Sequence, residues 1–252
     1  MNRISCFSAI TAAFLIASSA TAATLAHRYS FSGNTNDSVG GNTGILNNGA
    51  TVTATSLSLA GGPGSGASVP NMSYSTVVGV GANYGASGIT VESWYTDAGT
   101  SQWGKLFTFG SPVNGQEFAL TNQHANGTAV DRNGANQFNF RAAIGVEHHL
   151  VITVASDGNL STWLDGAQIF NNVATNPLSN VTSAVESIGA TAWNDPGHLG
   201  EVNEFRIYHG ELTAPEVAQN FALGPNQLIP EPAGTALLGL GMMLVLRRRR
   251  RG

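Results

Sequence analysis

The sequence predicts an all-β domain, a sandwich or barrel of short strands, and three observations carry that prediction. Runs in which β-branched or aromatic residues alternate with polar ones recur at regular intervals between turn residues. Glycine reaches 31 residues while only 10% of the chain is charged, a composition suited to strands joined by tight turns. One segment between the two ends of the chain has the caps and the period of a helix.

The chain opens on a different kind of segment. Arg3 supplies a positive start, AITAAFLIA (9–17) a short apolar run, and SSATA (18–22) the small residues of a cleavage site. Residues 1–23 therefore read as a secretory signal peptide cut near Ala22 or Ala23. The single cysteine, Cys6, precedes the apolar run, so the exported chain holds no disulfide and must be stabilised by a core or a bound metal. Residues 24–224 are enough for one domain with a well-buried core, and no internal repeat divides them.

Strands are expected at AHRYSF (26–31), LSLA (57–60), ITVESWYT (89–96), KLFTFG (105–110) and EFALT (117–121). They continue at QFNFRAAI (137–144), HHLVITVAS (148–156), LSTWLDG (160–166), ESIGAT (186–191) and LGEVNEFRIYHG (199–210). SDGN (156–159) and LDGA (164–167) each carry Asp-Gly, the pair that best tolerates the positive φ angles of a two-residue hairpin turn. In TAPEVAQNFALG (213–224), Thr213 caps, Pro215 falls in the first turn and Glu216 completes a capping box. Val217 and Phe221 then form an apolar stripe, and Gly224 ends the helix.

Charge is distributed unevenly. Between Thr24 and Ile229, 14 acids face five bases, namely Arg28, Lys105, Arg132, Arg141 and Arg206, whereas the tail is strongly basic. Such an acidic body repels phosphate backbones, so no nucleic acid partner is expected.

Four separated motifs carry a family resemblance. HHLVITVASDGNLSTWLDGAQI resembles the hairpin W-H-H-[VL]-A-V-T, D-G turn, [LI]-x-[LI]-Y-[VL]-D-G of laminin G-like, concanavalin A-like jelly rolls. GITVESWYT resembles the family's F-T-I-S-A-W-V strand, GEVNEFRIYHGELTAPEV its closing G-x-I-D-E-V-R-I-Y segment, and HRYSFSGNTNDSVGGNTGIL its first strand with the D-S-x-G loop. The resemblance spans residues 26–224 and implies a two-sheet antiparallel jelly-roll sandwich with one short C-terminal helix. Two positions depart from the pattern: Glu147 replaces the Trp before the histidines, and Asn203 replaces the Asp of D-E-V-R.

The acids argue against catalysis. A glycosidase of this fold needs two carboxylates on one face, yet Glu92 stands alone on its strand and Glu201 and Glu204, three apart, point to opposite faces. No G-x-S-x-G is present, and the chain is expected not to be an enzyme. Adjacent His148 and His149 point to opposite faces and cannot chelate one ion together; one packed and one exposed histidine is the expectation. The resemblance implies a calcium site, with Asp37 in NTNDSVGG (34–41) as one ligand and Asn203 at the position of another. An amide at 203 keeps an oxygen and removes its charge, and the alternative role for Asp37 and Ser38 is to stabilise a turn.

Recognition of a glycan or a surface protein would use aromatics with nearby amides and carboxylates. Thr90, Glu92, Trp94 and Thr96 share one strand face; open to solvent, it would present Glu92 and Trp94 to a saccharide, and covered, it would pack Trp94 beneath a loop. The loops GTSQWGK and ATAWNDPGHLG add Trp103, Trp193, Asn194 and Asp195, while Trp163 in the hairpin is expected to pack.

Residues 225–252 form a linker and a tripartite tail. Pro230, Glu231 and Pro232 precede an apolar run at 233–246, which is followed by Arg247, Arg248, Arg249 and two further arginines. Fourteen residues make a helix of about 21 Å, short for a hydrocarbon core of about 30 Å, and the arginines hold its end on the cytoplasmic side. The order resembles the PEP-CTERM sorting signal of Gram-negative bacteria, which implies an exosortase-type processing enzyme as partner, a transmembrane sorting helix and delivery to the cell surface or extracellular matrix. Together these features describe an exported, non-catalytic binding protein of the surface or biofilm matrix. A carbohydrate-active enzyme and a purely structural matrix protein are the alternatives.

Overall fold

The computed structural model describes residues 23–47, 49–62, 71–73, 87–113, 115–124, 127–131, 137–181, 185–191, 193 and 195–228. The expected signal segment up to Ala22, the Pro230 to Pro232 motif, the apolar run and the arginine cluster lie outside the described residues. Among the described residues no helix is long and apolar enough to cross a membrane.

In chain order the strands are β1 (Thr24–Tyr29), β2 (Ile45–Asn47), β3 (Thr51–Val52), β4 (Leu57–Ala60), β5 (Asn71–Ser73), β6 (Ile89–Asp97), β7 (Lys105–Gly110) and β8 (Glu117–His124). Then come β9 (Gly127–Asp131), β10 (Gln137–Phe140), β11 (Glu147–Val154), β12 (Asn159–Leu164), β13 (Ala167–Ala174), β14 (Val185–Ile188), β15 (Leu199–His209) and the helix α1 (Ala214–Leu223). They form two antiparallel sheets. The first runs β13-β12-β11-β6-β15, with β4 and then β3 beyond the first part of β15 and β1 along its last part. The second runs β10-β9-β8-β7-β14-β5-β2. This is an antiparallel β sandwich with one short helix, the architecture expected of a jelly roll.

Alternation builds the core. Val91 and Tyr95 of β6, Leu150, Ile152 and Val154 of β11, and Phe205 and Ile207 of β15 point inward from the first sheet. Phe107, Phe109, Phe118 and Leu120 answer from the second. Phe205 interdigitates with Phe107 and Phe109 at centroid distances of 5.7 and 6.4 Å, both edge-on, so aromatic packing joins the layers.

The second Asp-Gly turn is as expected: Asp165 and Gly166, both at positive φ (52° and 76°), join β12 to β13 in two residues. A Cβ at Gly166 would also lie 2.8 Å from the Phe221 ring, so the helix above the hairpin requires glycine there. The first turn is longer, since Ala155 to Gly158 all lie between β11 and β12 and Ala155 N–H donates to Asn159 O. Helix α1 starts after Thr213, Glu216 accepts the Thr213 N–H at 2.7 Å, and Gly224 ends it at φ 76°.

The outward face of the first sheet departs from expectation. Helix α1 and the chain after it lie across this face, so β6 is buried on both sides. Beneath them Arg206 is fully buried, its Nε 2.6 Å from Glu204 and its Nη1 3.1 Å from Glu92. Its guanidinium stacks 4.6 Å from the Trp94 ring, and its Nη2 donates to Gln227 O at 2.6 Å. Arg28 Nε donates to Glu204, as does Asn226 N–H. Glu92 also accepts from His149, Tyr208 and Asn220. Burial opposes ionisation of Glu92, but His149 and Arg206 outweigh it and hold its carboxyl below the usual range.

The register corrects one further expectation. A bulge at Asn203 sets Glu201 opposite Thr96 and Glu204 opposite Trp94, so these glutamates share a face instead of opposing each other. Both histidines of the pair are buried, not one, because the loop before β11 and the β12–β13 turn cover His148 while Phe221 stacks on His149.

Replacing Arg206 by Met leaves two buried carboxylates without their shared cation and is expected to destabilise the fold by about 3–5 kcal/mol in urea unfolding. Ending the chain at Gly224 instead of Leu228 removes the Gln227 and Asn226 bonds and costs about 1–3 kcal/mol by the same measurement.

Candidate functional site

The expected ligand residues separate onto two faces. Glu92 and Trp94 are 0% and 3% exposed beneath α1, so they form part of the ionic centre and present nothing to a saccharide. The reason is local: Trp94 lies between the Arg206 guanidinium and the His149 imidazole, 4.4 Å away, which is itself stacked on Phe221.

Trp103 and Trp193 lie instead over the outward face of the second sheet. The core takes Phe107 and Phe109 from β7, Phe118 and Leu120 from β8 and Ile188 from β14. Alternation and register therefore place Thr108, Glu117, Ala119, Thr121 and Ser187 on the opposite face, and the bulge after Lys105 adds that residue beside Thr121. Lys105 is buried and its Nζ donates to Thr121 Oγ1 at 2.9 Å. Trp193 is half-buried, and its Nε1 donates to Glu117 Oε2 at 2.7 Å. Trp103, also half-buried and at φ 67°, has its ring 4.3 Å from the His124 ring at a tilt of 53°, with Lys105 Nζ 5.6 Å from its centroid. Asp195 is half-buried in the same loop as Trp193; Asn194 lies outside the described residues.

The two tryptophan loops are fixed to each other. Lys105 N–H donates to Pro196 O, and Leu199 N–H donates to Thr100 Oγ1 at 3.0 Å. Asp97 accepts the N–H groups of Gly99 and Thr100, and the Thr100 hydroxyl lies 3.3 Å from His198 Nδ1. Burial holds His198 at about 4, so it is a neutral hydrogen-bonding strut at neutral pH. Each indole thus offers a half-buried apolar ring, which can stack a pyranose or furanose, at the border of a polar layer, Lys105, Glu117 and Thr121, that is at most 1% exposed and fixes the rings in place.

Lys105, Glu117, Thr121 and His124 were not singled out by the sequence. The alternation of EFALT does place Glu117, Ala119 and Thr121 on one face, but only the pairing of β8 with β7 brings Lys105 beside them.

Asp37 and Asn203, the expected calcium ligands, both have protein partners. Asp37 Oδ1 accepts the N–H groups of Arg28, Val39 and Gly40, and Oδ2 accepts from His27 at 2.7 Å and from Asn42 N–H. Asn203 donates to Glu147 at 3.1 Å and accepts from Asn226. A carboxylate saturated by donors fits a turn staple better than a cation ligand. Among the described residues no group of three or more His, Cys, Asp or Glu is placed to hold a metal ion. Burial opposes ionisation of Asp37, but His27 and the backbone donors prevail and bring it to about 2.

The family model described as the Concanavalin A-like lectin/glucanases superfamily matches residues 60–218. No curated protein matches the chain. Among solved structures, domain 4 of AbnA, a GH43 extracellular arabinanase from Geobacillus stearothermophilus in complex with arabinotriose, is 20% identical with a TM-score of 0.63, covering 79% of this chain and 98% of that one. A Trypanosoma rangeli sialidase is 18% identical with a TM-score of 0.58, over 78% of this chain and 32% of its own. The binding domain of botulinum neurotoxin DC, in complex with rat synaptotagmin II, is 15% identical with a TM-score of 0.57, over 79% of this chain and 51% of its own. The chain thus spans about a third of the sialidase and half of the neurotoxin structure. These likenesses show a shared fold. They also overturn the expectation that the chain is not an enzyme, because the arabinanase and the sialidase that share its fold are enzymes.

Because Asp37 titrates near 2 when folded and near 3.8 when unfolded, its stabilisation is complete above pH 4 and disappears as pH falls through about 2. Asp37→Asn is expected to cost about 1–2 kcal/mol at pH 7 and progressively less below pH 4 in denaturant titrations. A calcium-dependent rise in wild-type melting temperature that the variant lacks would instead assign Asp37 to a cation.

Proposed function

We propose that this chain, which belongs to the Concanavalin A-like lectin/glucanases superfamily, binds an oligosaccharide on the outward face of its second sheet. The observation that carries the proposal is the pair of half-buried indoles, Trp103 and Trp193, held over a floor of Lys105, Glu117 and Thr121. Flat apolar rings beside fixed donors and acceptors are complementary to a sugar, which offers C–H faces and equatorial hydroxyls. The arabinotriose bound to the similar arabinanase domain supports a saccharide ligand. The synaptotagmin complex of the neurotoxin domain supports a protein partner for the same fold, but separated indoles over charged groups suit a sugar better than a continuous apolar protein interface.

The proposal extends to the ends of the chain. Residues 1–23 act as an export signal, and Pro230, Glu231 and Pro232 with the apolar run and arginines act as a sorting signal cut by an exosortase-type enzyme. The domain is then delivered to the surface or extracellular matrix of a Gram-negative bacterium. What supports this is the order and spacing of the three tail elements.

Isothermal titration of residues 24–228 against arabino-oligosaccharides and bacterial exopolysaccharides is expected to detect binding that Trp103→Ala and Trp193→Ala each weaken at least roughly tenfold. Release of reducing ends in the same mixtures would add turnover to binding; no binding at all would favour a structural matrix role. For the tail, the intact mass of protein recovered from cells should lack the residues beyond the Pro-Glu-Pro motif, and a full-length C-terminus would overturn the sorting reading.

A further inference from the structure

Arg141 is the one exposed lysine or arginine among the described residues, and it stands beside the Trp103 indole and its His124 neighbour. The other described cations are engaged within the domain: Arg28 and Arg206 both bind Glu204, and Lys105 is buried against Thr121. Arg132 lies outside the described residues. In a body where 14 acids face five bases, an exposed cation is a scarce feature, and its placement next to a half-buried aromatic ring bears on what that ring recognises.

The end of β10 sets this placement. Phe140 and Ala142 are buried in the core, so alternation turns Arg141 between them outward. Gly127, which pairs with His124, has φ 125°, and a Cβ there would lie 2.5 Å from Phe140 O; glycine lets the β8–β9 turn close onto the end of β10. Arg141 Nη2 then donates to His124 O at 3.2 Å, and the His124 ring lies 4.3 Å from that of Trp103. His124 and Trp103 are both half-buried, so indole, imidazole and guanidinium are neighbours that each reach solvent. The other indole has acidic company instead: Trp193 is bonded to Glu117 and shares its loop with the half-buried Asp195.

We infer that Trp103, His124 and Arg141 form a subsite for a sugar unit that carries a carboxylate, a uronic acid within the oligosaccharide. This rests on the saccharide reading of the two indoles and names the class of sugar they take. The sugar ring stacks on Trp103 while the guanidinium takes its carboxylate. A guanidinium presents five N–H donors in a planar fork, so the bond to His124 O that orients Arg141 is compatible with a paired contact to two carboxylate oxygens. A neutral sugar gains the stacking without the charge-assisted bonds. Glu117 and Asp195 disfavour a second carboxylate at Trp193, which gives the ligand a direction, with its acidic unit at Trp103 and a neutral unit at Trp193.

Isothermal titration of the full chain with trigalacturonate and triglucuronate, each against its carboxyl-reduced form, tests the assignment. In at least one pair the acidic form is expected to bind roughly tenfold more tightly, and the difference should shrink as salt is raised. Arg141→Gln is expected to abolish that difference and leave the reduced sugar's affinity unchanged. Arg141→Lys keeps the charge without the fork and should recover only part of it. Because Arg141 is exposed, both variants should melt within about two degrees of the wild type, which separates a binding role from a folding one. Equal affinity for acidic and reduced forms, or an Arg141→Gln loss that is the same for both, overturns the subsite. If arabino-oligosaccharides bind and Trp103→Ala weakens them while the uronates show no preference or no binding, the carboxylate inference alone fails. If no sugar of any kind binds, the saccharide reading fails with it.

Discussion

A guanidinium with no exposure to solvent governs much of this molecule. Arg206 sits on the outward side of β15, where an exposed strand would place it in water, and the first sheet can keep it there only by supplying two carboxylates and a π face. Glu92 and Glu204 arrive from neighbouring strands, and each needs further donors, so His149, Tyr208, Asn220, Arg28 and Asn226 are drawn in. Those partners come from β11, β15, α1, β1 and the chain after α1. The helix and the segment following it are therefore bound to the sheet by charge as well as by Val217 and Leu212. The outward side of the second sheet is buried too, Thr108, Glu117, Ala119 and Thr121 being at most 1% exposed, and the half-buried Trp103 and Trp193 lie at its border.

The second sheet resolves its polar residues differently. Lys105 and Glu117 do not share one knot; each is tied to a residue at the border of the face, Thr121 and Trp193 respectively. The consequence is a floor of local pairs beneath separate aromatic rings. The rings are positioned by loops that are themselves fixed through Thr100, Pro196 and Leu199, so a ligand stacking on them would meet preformed loops and a small ordering cost.

Much of the fold could be read from sequence, because each long central strand carries its own alternation and α1 carries its own caps. β6, β7, β8, β11, β12 and β15 fall within a few residues of their expected positions. β2, β3, β5, β9 and β13 do not announce themselves: they are short or edge segments rich in Gly, Asn, Ser and Thr whose strand geometry comes from a neighbour. The site was half legible. Trp103 and Trp193 are conspicuous in loops, whereas the burial of Trp94 depends on α1 crossing β6, a long-range event that no local pattern of ITVESWYT encodes. The faces of Glu201 and Glu204 failed for a related reason, since one bulged residue reverses the parity on which face assignment rests.

The two departures from the family pattern turn out to be one feature. Asn203 is the residue displaced by the bulge, and its amide donates to Glu147, which occupies the other unusual position. A carboxylate at 203 would face the carboxylate of Glu147; an amide bonds it and still offers its oxygen to Asn226. Asn226 in turn donates its N–H to Glu204, the partner of Arg206. Asn203 thus belongs to the chain of bonds that holds the C-terminal segment against the ionic centre. Losing the Asp of the pattern and closing the first sheet are, in this protein, the same structural choice.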